Sequence, residues 1–509
     1  MILRGVTSLA GYPPGVYVNE LAVPQSDDIK TSDFIPAFIG EFDRGPVNQY
    51  VLISETPTTK LYEVAAPILG LTTKPNAGNA LLDHLKHAKI QKAAFVRVLG
   101  AGHQTASLTL KDRQATSKDT ALIKPKAGPG DFANIFTAEV LDGTAAGTFK
   151  LILVSDFGQE TYDNLTMDPS GARYAEKIIN SSSGHFVFED LKSDAADFSD
   201  AIPAVKAKTQ LTGGSNGAPV TDSDRIGTYD PGTGKRTGQK LLEVIGNIVT
   251  DVAHVNYSST EVDSALTTFG EKYNCTTYTG TDTAQTAEDA VTYRNTFDSD
   301  FGQMVFGYYR SVTGQRLSGA CLSAIVHVKG NVEDSGLAVE CGWIVGADQE
   351  LGFDDYSKLY EHQIAAFQLK PSATGDGSLA WRMANDYTLA KTDVAGAVIS
   401  DNENRKTNKR RLNSWIEKQL EAVAAPWQGR AMTKKMRDDA ERRTRTFFDK
   451  LVQPTNAEET SKIEAYSIVF NDSAKNIDQF IEDIKVKHYN TAEWILLNFM
   501  GGTNVEVDQ

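Results

Sequence analysis

The sequence predicts a multidomain chain of mixed α+β and α/β class. A core domain is built from N- and C-terminal parts of the chain, around an inserted β-rich α+β domain, with extended arms at both ends. Three observations predict this. The chain has 509 residues, and at about 150 residues per domain that allows roughly three domains. Helical and strand periods alternate in the first hundred residues and again beyond Lys240. Between them, from Gly100 to about Gly217, the texture changes to short alternating strands separated by Gly, Asp and Ser.

Each element follows in order. Pro13-Pro14-Gly15-Val16-Tyr17-Val18-Asn19-Glu20 joins two prolines and a glycine to a short β-favouring run, which reads as an extended arm. Asp33–Gly40 is a strand ending at a glycine, followed by the turn Asp43-Arg44-Gly45-Pro46 and a strand over Tyr50–Ser54. Leu81, Leu82 and Leu85 give Asn79–Ala88 a helical stripe, and Ala93–Leu99 is a nearly continuous apolar run suited to a buried strand. In the insertion, Ser107–Leu110, Phe136–Leu141 and Phe149–Val154 read as strands and Gly171–Asn180 as a helix. After it, Leu241, Leu242, Ile245, Ile248 and Val249 carry a helical period, and Gln303–Tyr309 is β-rich.

Residues 405–451 predict two helices separated by Ala425-Pro426-Trp427. Leu412, Trp415, Ile416, Leu420 and Val423 form the stripe of the first; Met436, Ala440, Phe447 and Leu451 form that of the second. Strand character resumes over Ala465–Phe470, Ile481–His488 and Trp494–Phe499. The resulting division is 1–22, an arm; 23–100, the first part of the core; 101–217, the insertion; 218–400, an α/β middle region; 401–490, a C-terminal domain with basic helices; and 491–509, a second arm.

Composition excludes several classes. With 40% hydrophobic, 23% charged and 9% aromatic residues, whole-chain disorder, collagen and coiled coil do not fit. No apolar run exceeds four residues, whereas a bilayer span needs about 20. The first residues lack the pattern of a secretory signal, so assembly in a cytoplasm is expected. Cys275, Cys321 and Cys341 have neither disulfide-framework nor metal-site spacing and read as core residues. A net charge of −15 argues against a sequence-independent grip on nucleic acid.

Catalytic motifs fail one by one. Gly213-Gly214-Ser215-Asn216-Gly217 matches Gly-x-Ser-x-Gly, but no apolar helical period follows to stabilise an oxyanion. The turn Tyr229–Gly238 lacks the first Gly of a phosphate loop and has Arg236 at the Ser/Thr position. His84 and His87 have no third ligand at a recognisable spacing. No cofactor is expected, and the chain does not read as an enzyme; the alternative is a surface-exposed hydrolase or carbohydrate-binding protein using Ser215 or the insertion.

Charge is unevenly distributed. Residues 405–450 hold 14 Lys/Arg and 6 Asp/Glu, a net of +8, which leaves −23 elsewhere. In the second helix Asp438, Asp439 and Glu441 precede Arg442, Arg443 and Arg445 at i,i+4, each pair worth about 0.2–0.5 kcal/mol. In the first, Arg405, Lys406, Lys409, Arg410 and Arg411 have no acid among them and crowd the positive end of the helix dipole, at a cost of about 0.3–1 kcal/mol each. An external anionic partner, more readily an acidic protein surface than DNA, would offset this.

In this order the features resemble the contractile tail sheath proteins of bacteriophages and related contractile injection systems. The arm resembles that family's Pro-Gly-Val-Tyr-Val-Glu-Glu, with Asn19 where an acid is usual. Ile35–Gly40, Arg44–Asn48, Phe95–Val98, Gly128–Asn134, Glu160–Leu165, Leu211–Gly217 and Lys409–Leu412 with Trp415-Ile416 are similar to further family segments. The likeness spans nearly the whole chain.

The resemblance implies a structural subunit that stacks as homo-hexameric rings around an inner tail tube protein and contracts to drive the tube through a cell envelope. It also implies contacts with baseplate and tail terminator proteins, no direct nucleic acid, no membrane insertion, and a place in the virion tail sheath after assembly in the host cytoplasm. Subunits would be linked by strand exchange through Val16, Tyr17, Val18, Asn19 and Glu20 at one end. At the other end the linking residues would be Trp494, Ile495, Leu496, Leu497, Val505 and Val507. Arg405, Lys406, Lys409, Arg410, Arg411, Lys434, Lys435 and Arg437 would face the tube.

Overall fold

The structure is a computed structural model and describes residues 2–4, 18–20, 35–70, 77–281, 286–374, 377–391, 405–427, 433–454, 460–472 and 480–490. The chain forms two compact units: residues 33–414, and the chain ends, 1–32 with 415–509.

At the amino end β1 (Ile2–Arg4) pairs in parallel with β2 (Val18–Glu20), Leu3 opposite Asn19. The larger unit opens with β3 (Pro36–Gly40), β4 (Tyr50–Ser54), α1 (Leu61–Leu69), α2 (Ala77–Ala88) and β5 (Lys92–Arg97). The insertion follows with β6 (Leu108–Lys111), β7 (Asp119–Pro125), β8 (Thr137–Asp142), β9 (Phe149–Ser155), β10 (Gly158–Leu165), α3 (Ala175–Ser182), β11 (Phe186–Asp190), α4 (Phe198–Ala201) and β12 (Lys206–Gln210). The core resumes with α5 (Asp222–Ile226), β13 (Asp251–His254), α6 (Thr260–Tyr273), β14 (Thr276–Thr279), α7 (Ala287–Arg294) and β15 (Gly302–Val305). Next come β16 (Tyr308–Ser311), β17 (Arg316–Ser318), α8 (Gly319–Lys329), β18 (Ile344–Ala347), α9 (Phe353–Glu361), β19 (Ile364–Ala365), β20 (Phe367–Pro371) and β21 (Leu379–Met383). Helix α10 (Thr407–Ala424) runs from the larger unit into the smaller, which adds α11 (Lys434–Val452), β22 (Ala465–Asp472) and β23 (Phe480–Lys487).

The central sheet has seven strands in the order β19-β15-β14-β13-β3-β5-β4, all parallel except the edge strand β4. The apolar runs at 36–40 and 93–96 lie at its centre because a parallel strand covered on both faces must be apolar on both. Phe38, Phe95 and Ala253 enter one buried cluster, with Leu81, Leu85, Leu322 and Ile325 of the flanking helices. Alternate residues Ala37, Ile39, Val96 and Val252 enter another, with Leu242, Leu266 and Phe269.

The insertion has its own core, Leu110, Ile123, Phe136, Phe149, Leu151 and Phe186 among its members. This core sits between sheets β10-β9-β8-β12 and β11-β7-β6. The segment 241–249, expected as a helix, is instead a 3-10 turn over Gly238–Val244. Gly246 stands against the Tyr273 ring where no side chain fits, so close packing there, not helical spacing, buries Leu241, Leu242, Ile245 and Val249.

Candidate functional site

No group of three or more potential metal ligands occurs among the described residues, and none of their helices is long and apolar enough to cross a membrane. The motifs weighed as catalytic have structural places. Ser215 exchanges backbone hydrogen bonds with Gln104 (2.9 and 3.0 Å), and its Oγ accepts from the Gly217 amide at 3.1 Å. The next helix, α5, starts seven residues later, so its amides are not at this serine. Asp230 consumes the donors of the Gly-rich turn, accepting from Gly232 N (2.8 Å), Thr233 Oγ1 (2.6 Å) and, through its carbonyl, Gly234 N (2.8 Å). His84 is buried between Trp343 Nε1 (3.2 Å) and the Gln315 carbonyl (3.3 Å), and burial pushes its pKa down to about 4.

A Ser–His–Asp string does exist, unsignalled by any local motif. Ser323 Oγ lies 3.3 Å from His327 Nδ1, and His327 Nε2 lies 3.0 Å from Asp386 Oδ1. All three are buried, and Ser323 donates to Gln303 Oε1 at 2.5 Å. Asp386 also accepts from Ser335 Oγ (2.7 Å), Gly336 N (2.9 Å) and Gln303 Nε2 (2.8 Å). Burial alone would raise this carboxyl; the imidazole and these donors outweigh it and hold it below the usual carboxylate range. A nucleophile enclosed in this way meets no substrate. The network instead ties β15, α8 and the 386 loop to Thr407 at the start of α10, which accepts from Gln303 Nε2 at 3.0 Å.

That start holds the basic cluster, and here the sequence expectation is corrected. Lys406, Lys409 and Arg411 are 6%, 4% and 3% exposed. They do not form an outward surface. Arg411 bonds both oxygens of Asp251, at 3.0 and 3.3 Å, and Asp251 further accepts from Tyr278 Oη and Thr250 Oγ1, each at 2.7 Å. Burial would raise the Asp251 carboxyl, but the Arg411 guanidinium holds it below its ordinary value. Arg410 packs over Phe301 (4.4 Å) and reaches Asn274 Oδ1 (3.2 Å) and Asp300 (3.6 Å). The anion expected from outside is Asp251, 160 residues away in sequence. Arg405 is half-exposed near the Tyr387 ring, Lys434 and Lys435 are exposed, and Arg437 is half-buried. On α11 the Glu441–Arg445 pair forms at 3.0 Å; Arg442 turns to Asp439 and Arg443 lies over Trp427 (5.6 Å).

The neck of the insertion is a second polar assembly. Its strands enter and leave side by side, Ser107 pairing with Thr212 (2.8 and 3.0 Å) and Ala218 N donating to the Ala101 carbonyl (3.0 Å). Arg97, 2% exposed, donates to the carbonyls of Phe42 (2.7 Å), Asp43 (2.7 Å), Gly45 (2.8 Å) and Pro129 (2.6 Å). Arg44 crosses from the core into an aromatic cage of Phe132 (4.9 Å), Phe136 (5.6 Å) and Phe157 (4.9 Å), with Asp156 as its ion partner. Gly128 has φ +81°, and a Cβ there would meet the Gly45 carbonyl at 2.6 Å, so its glycine permits this close approach.

In the smaller unit, Trp415, Phe447, Phe448 and Tyr466 pack in sequence, with centroids 6.3, 5.2 and 5.0 Å apart. Tyr466 brings β22 onto this row, and β22 pairs with β23, Ile468 opposite Ile484. Tyr466 and Ile468 face inward while Ser467, Val469, Asp483 and Lys485 face outward. It is a sheet of two strands only, so among the described residues each strand has one edge without a strand partner. Val18, Asn19 and Glu20 are in β2, paired on one edge with β1. Val16, Tyr17 and all the expected carboxy-terminal arm residues, Trp494, Ile495, Leu496, Leu497, Val505 and Val507, lie outside the described residues.

No protein-family model and no curated protein matches the sequence. Solved structures do. The sheath tail protein of Listeria innocua superposes with a TM-score of 0.59 over 90% of this chain and 95% of its own, at 13% identity. The fold is that of a tail sheath protein. The sheath tail protein of Desulfitobacterium hafniense matches with a TM-score of 0.56 over 93% of this chain and 100% of its own, at 12% identity. The helical sheath of the anti-feeding prophage in its contracted state matches at 0.50 over 97% and 99%, at 11% identity.

Proposed function

We propose that this chain is the structural subunit of a contractile tail sheath, which polymerises around an inner tube as stacked hexameric rings and contracts to drive the tube through a cell envelope. The sheath fold over at least nine-tenths of the chain supports a sheath subunit. The observation that carries polymerisation by strand exchange is the two-stranded sheet β22-β23, placed in the same compact unit as both chain ends. An extended arm donated by a neighbour adds a strand to such an edge through backbone hydrogen bonds. Four or five bonds at about 0.5–1.5 kcal/mol each give a few kcal/mol per link, and a lattice of links is strong.

Among the described residues, the pairing of β2 with β1 leaves β2 one edge for a neighbour. Of the basic residues, Arg405, Lys434, Lys435 and Arg437 are the ones proposed to face an acidic tube; Lys406, Lys409 and Arg411 serve the subunit interior, and Arg410 is committed to Asn274 and Asp300. The baseplate and terminator proteins are proposed as end partners of the same polymer, in a phage tail or an injection particle.

Negative-stain microscopy of the purified protein tests the proposal. Striated hollow cylinders are expected. Deleting residues 1–20 should leave a folded monomer that forms none; cylinders from that deletion would remove arm exchange at the amino end, and monodisperse particles from the full chain would remove the sheath reading.

A further inference from the structure

The most exposed large apolar side chain described is Phe353, at 83%. It opens α9, with Gly352 at the cap position and Asp355 Oδ2 accepting from the Gly352 amide at 2.9 Å. The helix start is therefore satisfied without the phenyl ring, which stands out from it. Glu350 and Asp354 beside it are exposed, and neither forms an ion pair with a described residue. An exposed aromatic ring keeps an unfavourable contact with water for as long as nothing covers it. Buried aromatic residues ringed by charge are the usual anchors of protein interfaces.

Charge selects the partner. Residues 427–446, which lie beyond the buried cations at the start of α10, hold seven Lys/Arg and three Asp/Glu, so in a polymer of identical chains that segment of another copy offers this acidic knob a cationic surface. There the half-exposed Trp427 has the Arg443 guanidinium 5.6 Å from its ring centre, and Arg442, 76% exposed in its side chain, lies next in the helix. Tryptophan and arginine are the residue types most enriched at interface hot spots.

We propose that Phe353, Glu350 and Asp354 of one copy dock on Trp427, Arg442 and Arg443 of a second copy. Ring packs on ring, and the carboxylates meet the guanidinium groups. The two faces differ, so the contact is heterologous, the type that propagates into rings or helical arrays instead of closing as a dimer. This deepens the sheath reading and rests on it for its place in the polymer, but uses neither the terminal arms nor Lys434, Lys435 and Arg437.

The test uses the full chain. With p-benzoylphenylalanine at position 353, irradiation should give intermolecular cross-links to peptides within 425–446. Cross-links only within one chain, only to other segments, or to none overturn the proposal. In parallel, Asp354→Arg and Arg443→Asp, both at the surface, should each raise the critical concentration for polymerisation at least tenfold with an unchanged melting temperature, and together restore it toward wild type. Singles that polymerise like wild type, or a double variant no better than the singles, also overturn it. If the unaltered protein forms no cylinders, the sheath reading fails by itself, and the cross-link at 353 still decides whether this contact exists.

Discussion

The seven-stranded core sheet and the hairpin β22-β23 obey the same pairing rules and end in opposite conditions. The core sheet is covered by apolar clusters on both faces and tied down by buried polar networks at Asp251 and Asp386. The hairpin has one inward face, resting through its Tyr466 on Phe448, and two strands. Isolated two-stranded sheets are marginal in water, and open edges invite further strands. The core is finished within one chain, whereas the hairpin, among the described residues, keeps a strand edge open on each side, as the proposed strand exchange requires.

If the core is self-sufficient, its cations are structural, and Arg411→Met should show it most strongly. Asp251 is then left charged and buried without its partner, for an expected loss of about 3–5 kcal/mol in urea unfolding. Retained stability, with defective assembly only, would return Arg411 to the surface. At the neck, Arg97→Ala removes four hydrogen bonds to carbonyls, those of Phe42 and Gly45 buried and those of Asp43 and Pro129 half-buried; about 2–4 kcal/mol should be lost. Limited proteolysis should then cut first near residues 100–104 and 214–220.

Asp263 sharpens the comparison by pH. It is buried, accepting from Ser258 Oγ (2.6 Å) and Tyr293 Oη (2.7 Å). Burial, with the Asp222 charge adding, pushes its pKa up to about 7 despite these donors. In the unfolded chain it titrates near about 4. The folded state therefore holds the proton more tightly, and this contribution, full below pH about 4, is lost as pH rises to about 7. Asp263→Asn should be more stable than wild type at pH 8 and little different at pH 4, read from melting curves. On the outer face of α11 the effect should be smallest: Glu441→Gln loses one i,i+4 pair, about 0.2–0.5 kcal/mol.

The same contrast governs how much could be read from the sequence. Strands β3 and β5 were legible because a doubly covered parallel strand writes itself as an apolar run. The stripes of α10 and α11 were legible because Leu412, Trp415, Val423, Ala440, Phe447 and Leu451 keep the helical period and are buried. The segment 241–249 misled because 3-10 geometry between glycines can bury the same residues as a helix. The basic cluster misled for a different reason: a charge imbalance over 46 residues looks external when its counter-ion is far away in sequence, as Asp251 is. Arg44 and Arg97 sit in a turn and a strand that were legible, but their clamping roles were not, since four carbonyls from two separate loops leave no local pattern.

The claim that neighbours complete the hairpin is tested most directly by amide hydrogen exchange over Ala465–Asp472 and Phe480–Lys487, in the monomer and in assembled cylinders. Edge amides that exchange freely in the monomer should become at least a hundredfold more protected in the cylinder, while those of β3 and β13 should not change. Equal protection of the hairpin in both states would contradict it.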